Sequence, residues 1–342
     1  MPAHLDIFGD GLAACCAAHL LVDRGFSISL HKTGPPKPAR LLVGVPTQSL
    51  LREIFRAPDL FAHAPRIRRR IVRWGAHAQT LELPHRGLVV SEMDLLDRLW
   101  RQTSIATREP SPSPAWSLVA SPDFAALPAL QSFGARQASV ATVALAANAP
   151  QDACWVESLP DGWLFLLPSG ESRGALIATG YAPESLLEQS LLAAPQIARI
   201  ESAALRAFPA FPRILAEVCG PGWLALGSAA MTFDPLCGEG VGHAARVALL
   251  AAAVLQAAAR GESSASLLAH YSTRLLQGFL RHLEVCLPFY RSGGQGHFWK
   301  NETAALERGI AWARQRLRRH APFQYRFSGY DLEPIAPAVA AG

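Results

Sequence analysis

The sequence predicts an α/β chain with an N-terminal βαβ unit, an inserted antiparallel β-sheet and a helical C-terminal region. Three observations predict it. The apolar run His4–Phe8 leads through Gly9-Asp-Gly-Leu-Ala-Ala14 into an apolar helix. Strand-length segments separated by turn residues fill 139–178. From Ser264 to His320 the pattern is helical almost throughout.

The elements follow in order. His4–Phe8 reads as a buried strand, and the helix after it runs to about Asp23, where Arg24-Gly25 breaks it. Phe26–His31 is a second strand, which completes a βαβ-sized unit in about 30 residues. Gly34–Pro38 is a loop, Arg40–Val45 is strand-like and Thr47–Phe55 is helical. Arg66–Leu83 alternates like a half-buried strand pair, Gly87–Val90 is a third strand and Asp94–Gln102 is a helix. Glu109–Pro114 is a Pro/Ser linker, and Trp116–Ala120 is a core strand. Ser139–Leu145, Ala153–Glu157, Trp163–Leu167 and Gly174–Ala178 form the antiparallel sheet of a second domain. Ala182–Leu192 is helical, Gly222–Gly227 returns to a buried strand, and a long helix runs from about Val241 to Ala259. The Pro/Ala-rich tail Glu333–Gly342 is expected to be loose.

Composition narrows the class. Half the residues are hydrophobic and 17% are charged, which suits a packed enzyme and excludes a disordered chain. The net charge of +5 is mild, and only Lys32, Lys37 and Lys300 among the 32 basic residues are lysines; no nucleic-acid partner is expected. The six cysteines show no CxxC pair and the histidines no HExxH, so no metal site is expected. A reducing, cytoplasmic setting fits that cysteine usage. No secretory leader is expected, because the N-terminus lacks a charged n-region. No membrane span is expected either, because Ala248–Ala259 is about half the required length.

Gly9-Asp-Gly-Leu-Ala-Ala14 has a Rossmann-type spacing. Gly9 allows the tight turn, Gly11 lets backbone approach a pyrophosphate, and Ala14 packs helix against sheet. The helix N-terminus would hold the pyrophosphate. The end of the second strand, which usually carries an acid for the ribose, has His31. That imidazole can bond a ribose hydroxyl, and it can equally be a plain surface residue.

The most specific stretch is Trp223-Leu-Ala-Leu-Gly-Ser-Ala-Ala-Met-Thr-Phe-Asp-Pro-Leu-Cys-Gly-Glu-Gly240. It resembles the late flavin loop of FAD-dependent aromatic hydroxylases, halogenases and geranylgeranyl reductases. The resemblance implies FAD as cofactor, with Gly227, Asp234, Pro235, Gly238, Gly240 and Val241 lining the flavin. Ser228 stands where that family carries an Asp bound to the ribityl chain. Residues 38–49 look like the Gly-rich strand and loop near the ring in tryptophan halogenases, which places Arg40 at the cofactor and Val45 and Pro46 toward substrate. Gly162-Trp-Leu-Phe-Leu-Leu-Pro168 resembles their Gly-Trp-x-Trp-x-Ile-Pro motif, with Phe165 for the second Trp. Phe208-Pro-Ala-Phe-Pro212 matches an aromatic–proline turn there. The likeness is patchy and covers roughly residues 4–100 and 136–260. The region between Gln102 and Arg136 is shorter than in those relatives, so with His31 and Ser228 a trimmed, weaker FAD site is expected.

On this resemblance, residues 1–65, 93–135 and 215–260 form a discontinuous FAD-binding domain. Residues 66–92 and 136–214 form the substrate domain, and 261–342 the C-terminal helical region. The position of the halogenases' lysine falls on Arg66, a far poorer nucleophile, which favours hydroxylation through a flavin hydroperoxide. Some relatives hydroxylate a tryptophan within a protein to mature tryptophylquinone cofactors. The implied substrate is therefore an aromatic small molecule or a Trp-type side chain in a peptide. The electron source is a separate flavin reductase or NAD(P)H. The alternatives are an FAD oxidase, dehydrogenase or reductase without oxygen insertion, and a non-catalytic partner protein with a decayed flavin site. The basic stretches Arg66–Arg73 and Arg308–Arg319 suit an acidic partner or simply a solvated face. No catalytic residue is fixed; Glu239 and His243, beside the flavin loop, are the candidates. Trp163 and Phe165 are expected to close the cavity over the ring, with the loops at Gly44 and Asp234 both leaving the nucleotide sheet at its C-terminal edge.

Overall fold

A computed structural model describes residues 4–33, 40–75, 78–105, 115–124, 127–201, 206–320 and 324–335. The expected loop Gly34–Pro38 with Lys37, the linker Glu109–Pro114 and the tail beyond 335 lie outside these residues.

The first sheet is parallel in four of its five strands. His4–Phe8 lies centrally, with Ser27–His31 on one side and Trp116–Val119 then Trp223–Ala225 on the other. The two-residue strand Cys219–Gly220 adds an antiparallel edge. Leu5, Ile7, Leu118 and Leu224 are wholly buried, as expected of a sheet covered on both faces. The helix Leu12–Val22 (α1) follows Gly9, whose φ of +113° and contact with the Ser121 amide exclude a side chain. Its Ala- and Cys-rich face is buried, because small side chains let the neighbouring helices come close.

Val45–Ile54 (α2) begins two residues earlier than the pattern predicts, since Pro46 fits the first helical turn. Glu92–Arg101 (α3) is capped by Ser91 Oγ, which accepts the Asp94 N–H at 3.4 Å, and buries Leu95, Leu96 and Leu99. Pro183–Gln189 (α4) is shorter than the helix read from sequence. Gly227–Ala230 (α5) is a single turn. Gly240–Ala259 (α6) is the long helix expected from about Val241 to Ala259. By length and composition it reaches what a membrane span requires, yet most of it is buried inside the protein. Ser264–Gly293 (α7) and His297–Leu317 (α8) form the helical C-terminal region. Beyond them Tyr325–Ser328 pairs with Asp331–Pro334, so Glu333 and Pro334 belong to a hairpin strand and not to the loose tail.

The second sheet has nine strands and is larger than expected. The order from one edge is Ile197–Ile200, Gln137–Leu145, Arg173–Thr179, Gly162–Gly170, Ala153–Leu159, Arg66–Arg73, Leu81–Ser91 and Arg40–Gly44, with Arg206–Pro209 also on Gln137–Leu145. All pairings are antiparallel except Arg66–Arg73 with Ala153–Leu159. The segments read as two strands, up to Leu83 and from Gly87, are one strand, Leu81–Ser91. Arg40–Gly44 was expected on the nucleotide sheet. It pairs instead with Leu81–Ser91, setting Leu41–Val43 opposite Leu88–Val90. Matching apolar residues across a pair stabilises that register. The second sheet therefore takes in residues on the N-terminal side of the boundary placed at 65.

Candidate functional site

A cavity of about 430 Å³ opens where α1, α5 and α6 begin. Its walls include Gly11–Ala13, Ala120 and Gly227, each just beyond the C-terminal end of a parallel strand. Ligands of such sheets bind at that edge. The loop from Phe233 to the first turn of α6 forms another wall. The two glycine-rich segments, more than 200 residues apart in sequence, thus border one space.

Of the residues singled out in the sequence, Gly11, Gly227, Ser228, Asp234, Pro235, Gly238, Glu239, Gly240, Val241 and His243 border the cavity. Gly227 has φ +50°, and a Cβ there would lie 2.8 Å from Ala13 Cβ, so this glycine is required by packing alone. Gly11 and Gly240 differ: among the described residues an added Cβ would meet nothing within 4 Å at either. Ser228 is exposed toward the same space.

The other named residues do not form its walls. Gly9 and Ala14 are buried in the turn and helix beside it. His31 stacks on Phe8 (centroids 4.4 Å apart) and points Nε2 at Asp6 Oδ2, 3.7 Å away. Arg40, Val45 and Pro46 are exposed; the α2 start meets α6 where Thr47 faces Gly242. Trp163 corrects the expectation that it covers the cavity. It is 1% exposed, and its Nε1–H donates to Tyr290 Oη at 3.2 Å, because α7 covers that face of the sheet. Phe165, two residues on and so on the same face, is half-buried against Ile67, Val89 and Leu167.

Asp234 borders the cavity but directs its carboxylate into the protein. Arg136 donates to Oδ2 through Nε (3.0 Å) and Nη2 (2.6 Å), and Tyr290 Oη donates to it at 2.7 Å. Oδ1 accepts the Leu236 N–H at 2.8 Å, and the Asp234 N–H donates to His282 Nε2 at 2.9 Å. Arg136 also donates to Glu302, and its guanidinium lies over the Tyr290 ring at 4.5 Å. Burial opposes charge on Arg136, yet Tyr290, Asp234 and Glu302 around it keep it protonated. This buried network anchors the loop that carries Pro235, Gly238 and Gly240.

The two catalytic candidates differ in environment. Glu239 is exposed and paired with Arg246 at 2.7 Å. His243 is buried beside the Phe233 ring (4.3 Å), and among the described residues nothing hydrogen-bonds its Nε2. Burial, with Arg246 and His282 nearby, pushes its imidazole down to about 3. It is therefore a neutral hydrogen-bonding group at ordinary pH, not a proton donor. Its unfolded value is about 6.5. Below that pH the unfolded chain takes up a proton that the folded chain refuses, so stability falls as pH drops from about 6.5 toward 3 and is flat above. By pH 5 the loss is about 2 kcal/mol. Urea unfolding at pH 7 and pH 5 should show a smaller loss in His243→Gln by about that amount; equal losses in both proteins would refute the assignment.

Several wall residues carried no site role in the sequence. Phe208 and Pro209 belong to the aromatic–proline turn. Arg213, whose Nε donates to Thr232 Oγ1 at 2.9 Å, and Glu92, whose carboxyl burial pushes up, gave no local signal.

No family model matches the chain, and no curated protein matches it by sequence. Solved structures do. A peptidyl tryptophan dihydroxylase essential for tryptophylquinone cofactor biogenesis, QhpG, superposes with TM-score 0.74 at 20% identity, covering 98% of this chain and 86% of that one. The flavin-dependent halogenase CmlS gives 0.74 at 15%, covering 93% and 72%. A probable FAD-dependent monooxygenase from Pseudomonas aeruginosa, pqsL, gives 0.65 at 13%, covering 92% and 100%. The chain has the fold of these flavin-dependent halogenase, dihydroxylase and monooxygenase structures, the group that the Trp223–Gly240 stretch resembles.

Proposed function

We propose that the protein is an FAD-dependent oxidoreductase that inserts oxygen into an aromatic group, either a small molecule or a Trp-type side chain in a peptide. The observation that carries this reading is the convergence of the Gly11 turn and the Phe233–Gly240 loop on one cavity at the C-terminal edge of the parallel sheet. The cavity fits the cofactor in three respects. Gly11 and Gly240 leave open backbone, with no packing reason to be glycine among the described residues. The N-termini of α1 and α6 both open on it, and helix N-termini attract the negative charge of a pyrophosphate or reduced flavin. His243 Nε2 offers a buried hydrogen-bonding atom that no described residue uses.

Bound FAD supplies the redox and oxygen chemistry. The chain's part is to hold it and keep water out. Leu41, Leu95, Leu96, Phe208 and Phe233 give the cavity apolar walls suited to a flat ring, and Arg213 and Ser228 add polar contacts. Hydroxylation is favoured over halogenation by Arg66, at the halogenases' lysine position. It is exposed at the start of its strand and permanently charged. The protein hydroxylating a peptidyl tryptophan is one of the structures of like fold. A peptide substrate is part of the reading for that reason.

The test uses the purified protein with chemically reduced FAD, oxygen and bromide, offered indole, free tryptophan and a tryptophan-containing peptide. The expected product is heavier by oxygen alone. A bromine isotope pattern would reverse the choice of reaction. A product that has only lost hydrogen would mark an oxidase or dehydrogenase.

A further inference from the structure

We propose that Cys237 and Cys286 form a reversible disulfide that clamps the cavity loop to α7. Cys237 ends the short 3₁₀ turn Pro235–Cys237, and Cys286 lies within α7. The fold brings these two thiols, 49 residues apart, to a Sγ–Sγ distance of 3.2 Å. Closing to a covalent bond takes movement of about 1 Å. Among the described residues it is the one pair of cysteines in thiol–thiol contact. The clamp would act directly on the cavity, because Gly238 and Gly240, just beyond Cys237, line it.

The surroundings divide the work between the two sulfurs. The groups facing the pair are His282 from α7, Asp234 from the loop and Arg136 behind it. The hydrogen bond from Cys286, against the effect of burial, and His282 pull the Cys237 thiol down to about 6. The hydrogen bond with Cys237 and burial push Cys286 up. Cys237 is half-buried and Cys286 fully buried. Cys237 is thus the attacking thiolate and Cys286 the resolving thiol. With hydrogen peroxide as oxidant, Cys237 Sγ attacks one peroxide oxygen, the O–O bond breaks and water leaves after taking a proton. Cys286 Sγ then displaces the oxygen on Cys237, and its proton leaves with that oxygen as a second water. Two thiols and one peroxide give one disulfide and two waters, and two equivalents of a small-molecule thiol return the pair by exchange, leaving as their own disulfide.

The same three side chains, Cys237, His282 and Cys286, are close enough to hold a soft metal ion. The histidine argues for the thiol pair instead. Its Nε2, the ring nitrogen nearer Cys286 Sγ, is already engaged as the acceptor of the Asp234 N–H.

The full-length protein, reduced and freed of reductant, is treated with hydrogen peroxide, alkylated, digested and mapped by mass. The expected result is loss of both free thiols and a Cys237–Cys286 linked peptide that disappears on reduction. In Cys286→Ser the linked peptide should be absent and Cys237 should be trapped as a dimedone adduct. Both readouts are independent of whether FAD binds. Full alkylation of both cysteines after peroxide would overturn the proposal. So would stoichiometric zinc or copper in the untreated protein that is lost on alkylating either one.

Discussion

Gly11→Glu is expected to abolish FAD binding while the protein stays folded. Gly11 is extended at φ −73° and ψ −176°, a conformation open to any residue, and an added Cβ there meets no atom of the described residues within 4 Å. The fold should therefore accept the side chain. On the reading of the cavity given above, the carboxylate would occupy the space of the pyrophosphate at the α1 N-terminus. It would also repel the phosphates where the helix otherwise attracts them. A loss of at least about 100-fold in affinity, roughly 2.7 kcal/mol, is expected. Flavin absorbance per protein after reconstitution, with circular dichroism to check folding, measures it. Wild-type flavin content in a folded Gly11→Glu protein would place the cofactor elsewhere or remove it from the account.

Arg136→Met should be the most destabilising single change near the site. The side chain is wholly buried between Asp234 and Glu302, so its removal strands two carboxylates without their cation. Breaking a buried ion pair in this way costs about 3–5 kcal/mol. The Tyr290 and Leu236 hydrogen bonds to Asp234 would then hold an uncompensated charge. Arg136→Lys should recover part of the loss, since it keeps the charge but not the two donors on Asp234 Oδ2. Urea unfolding of both variants at neutral pH measures the difference. A cost below about 1 kcal/mol for Arg136→Met would mean that the triad does not anchor the loop.

The parts of the fold legible in the sequence are those with local causes. The run His4–Phe8, the glycines after it and the apolar helix specify a strand, a turn and α1 within 20 residues, and the structure has them. The same holds for the four strand-length segments between 137 and 179, and for the strand, loop and long helix after Trp223. The candidate cavity was legible to the same extent: its glycine-rich walls are contiguous motifs.

What failed to show was contact between distant segments. Arg40–Gly44 reads correctly as a strand, but a strand pattern does not name its partner, and the partner is Leu81–Ser91 in the other sheet. The Trp163 strand reads correctly as well. Its ring is withdrawn from the cavity by Tyr290, 127 residues later on α7. Asp234 matches a loop motif, while Arg136, 98 residues earlier, has no local signature that separates it from the other arginines. Cys237 and Cys286 show no spacing of the kind that marks a cysteine pair. By itself the sequence determined the main strands and helices and the two glycine-rich walls, because backbone geometry and periodic burial are written in neighbouring residues, and its resemblance to FAD-dependent enzymes implied the cofactor. Only the tertiary structure decided which side chains face the cavity, which are spent on the buried Arg136 network and which two thiols meet. Those outcomes depend on how α7 and α8 pack against the loop and the second sheet, and that packing is settled by the whole core at once.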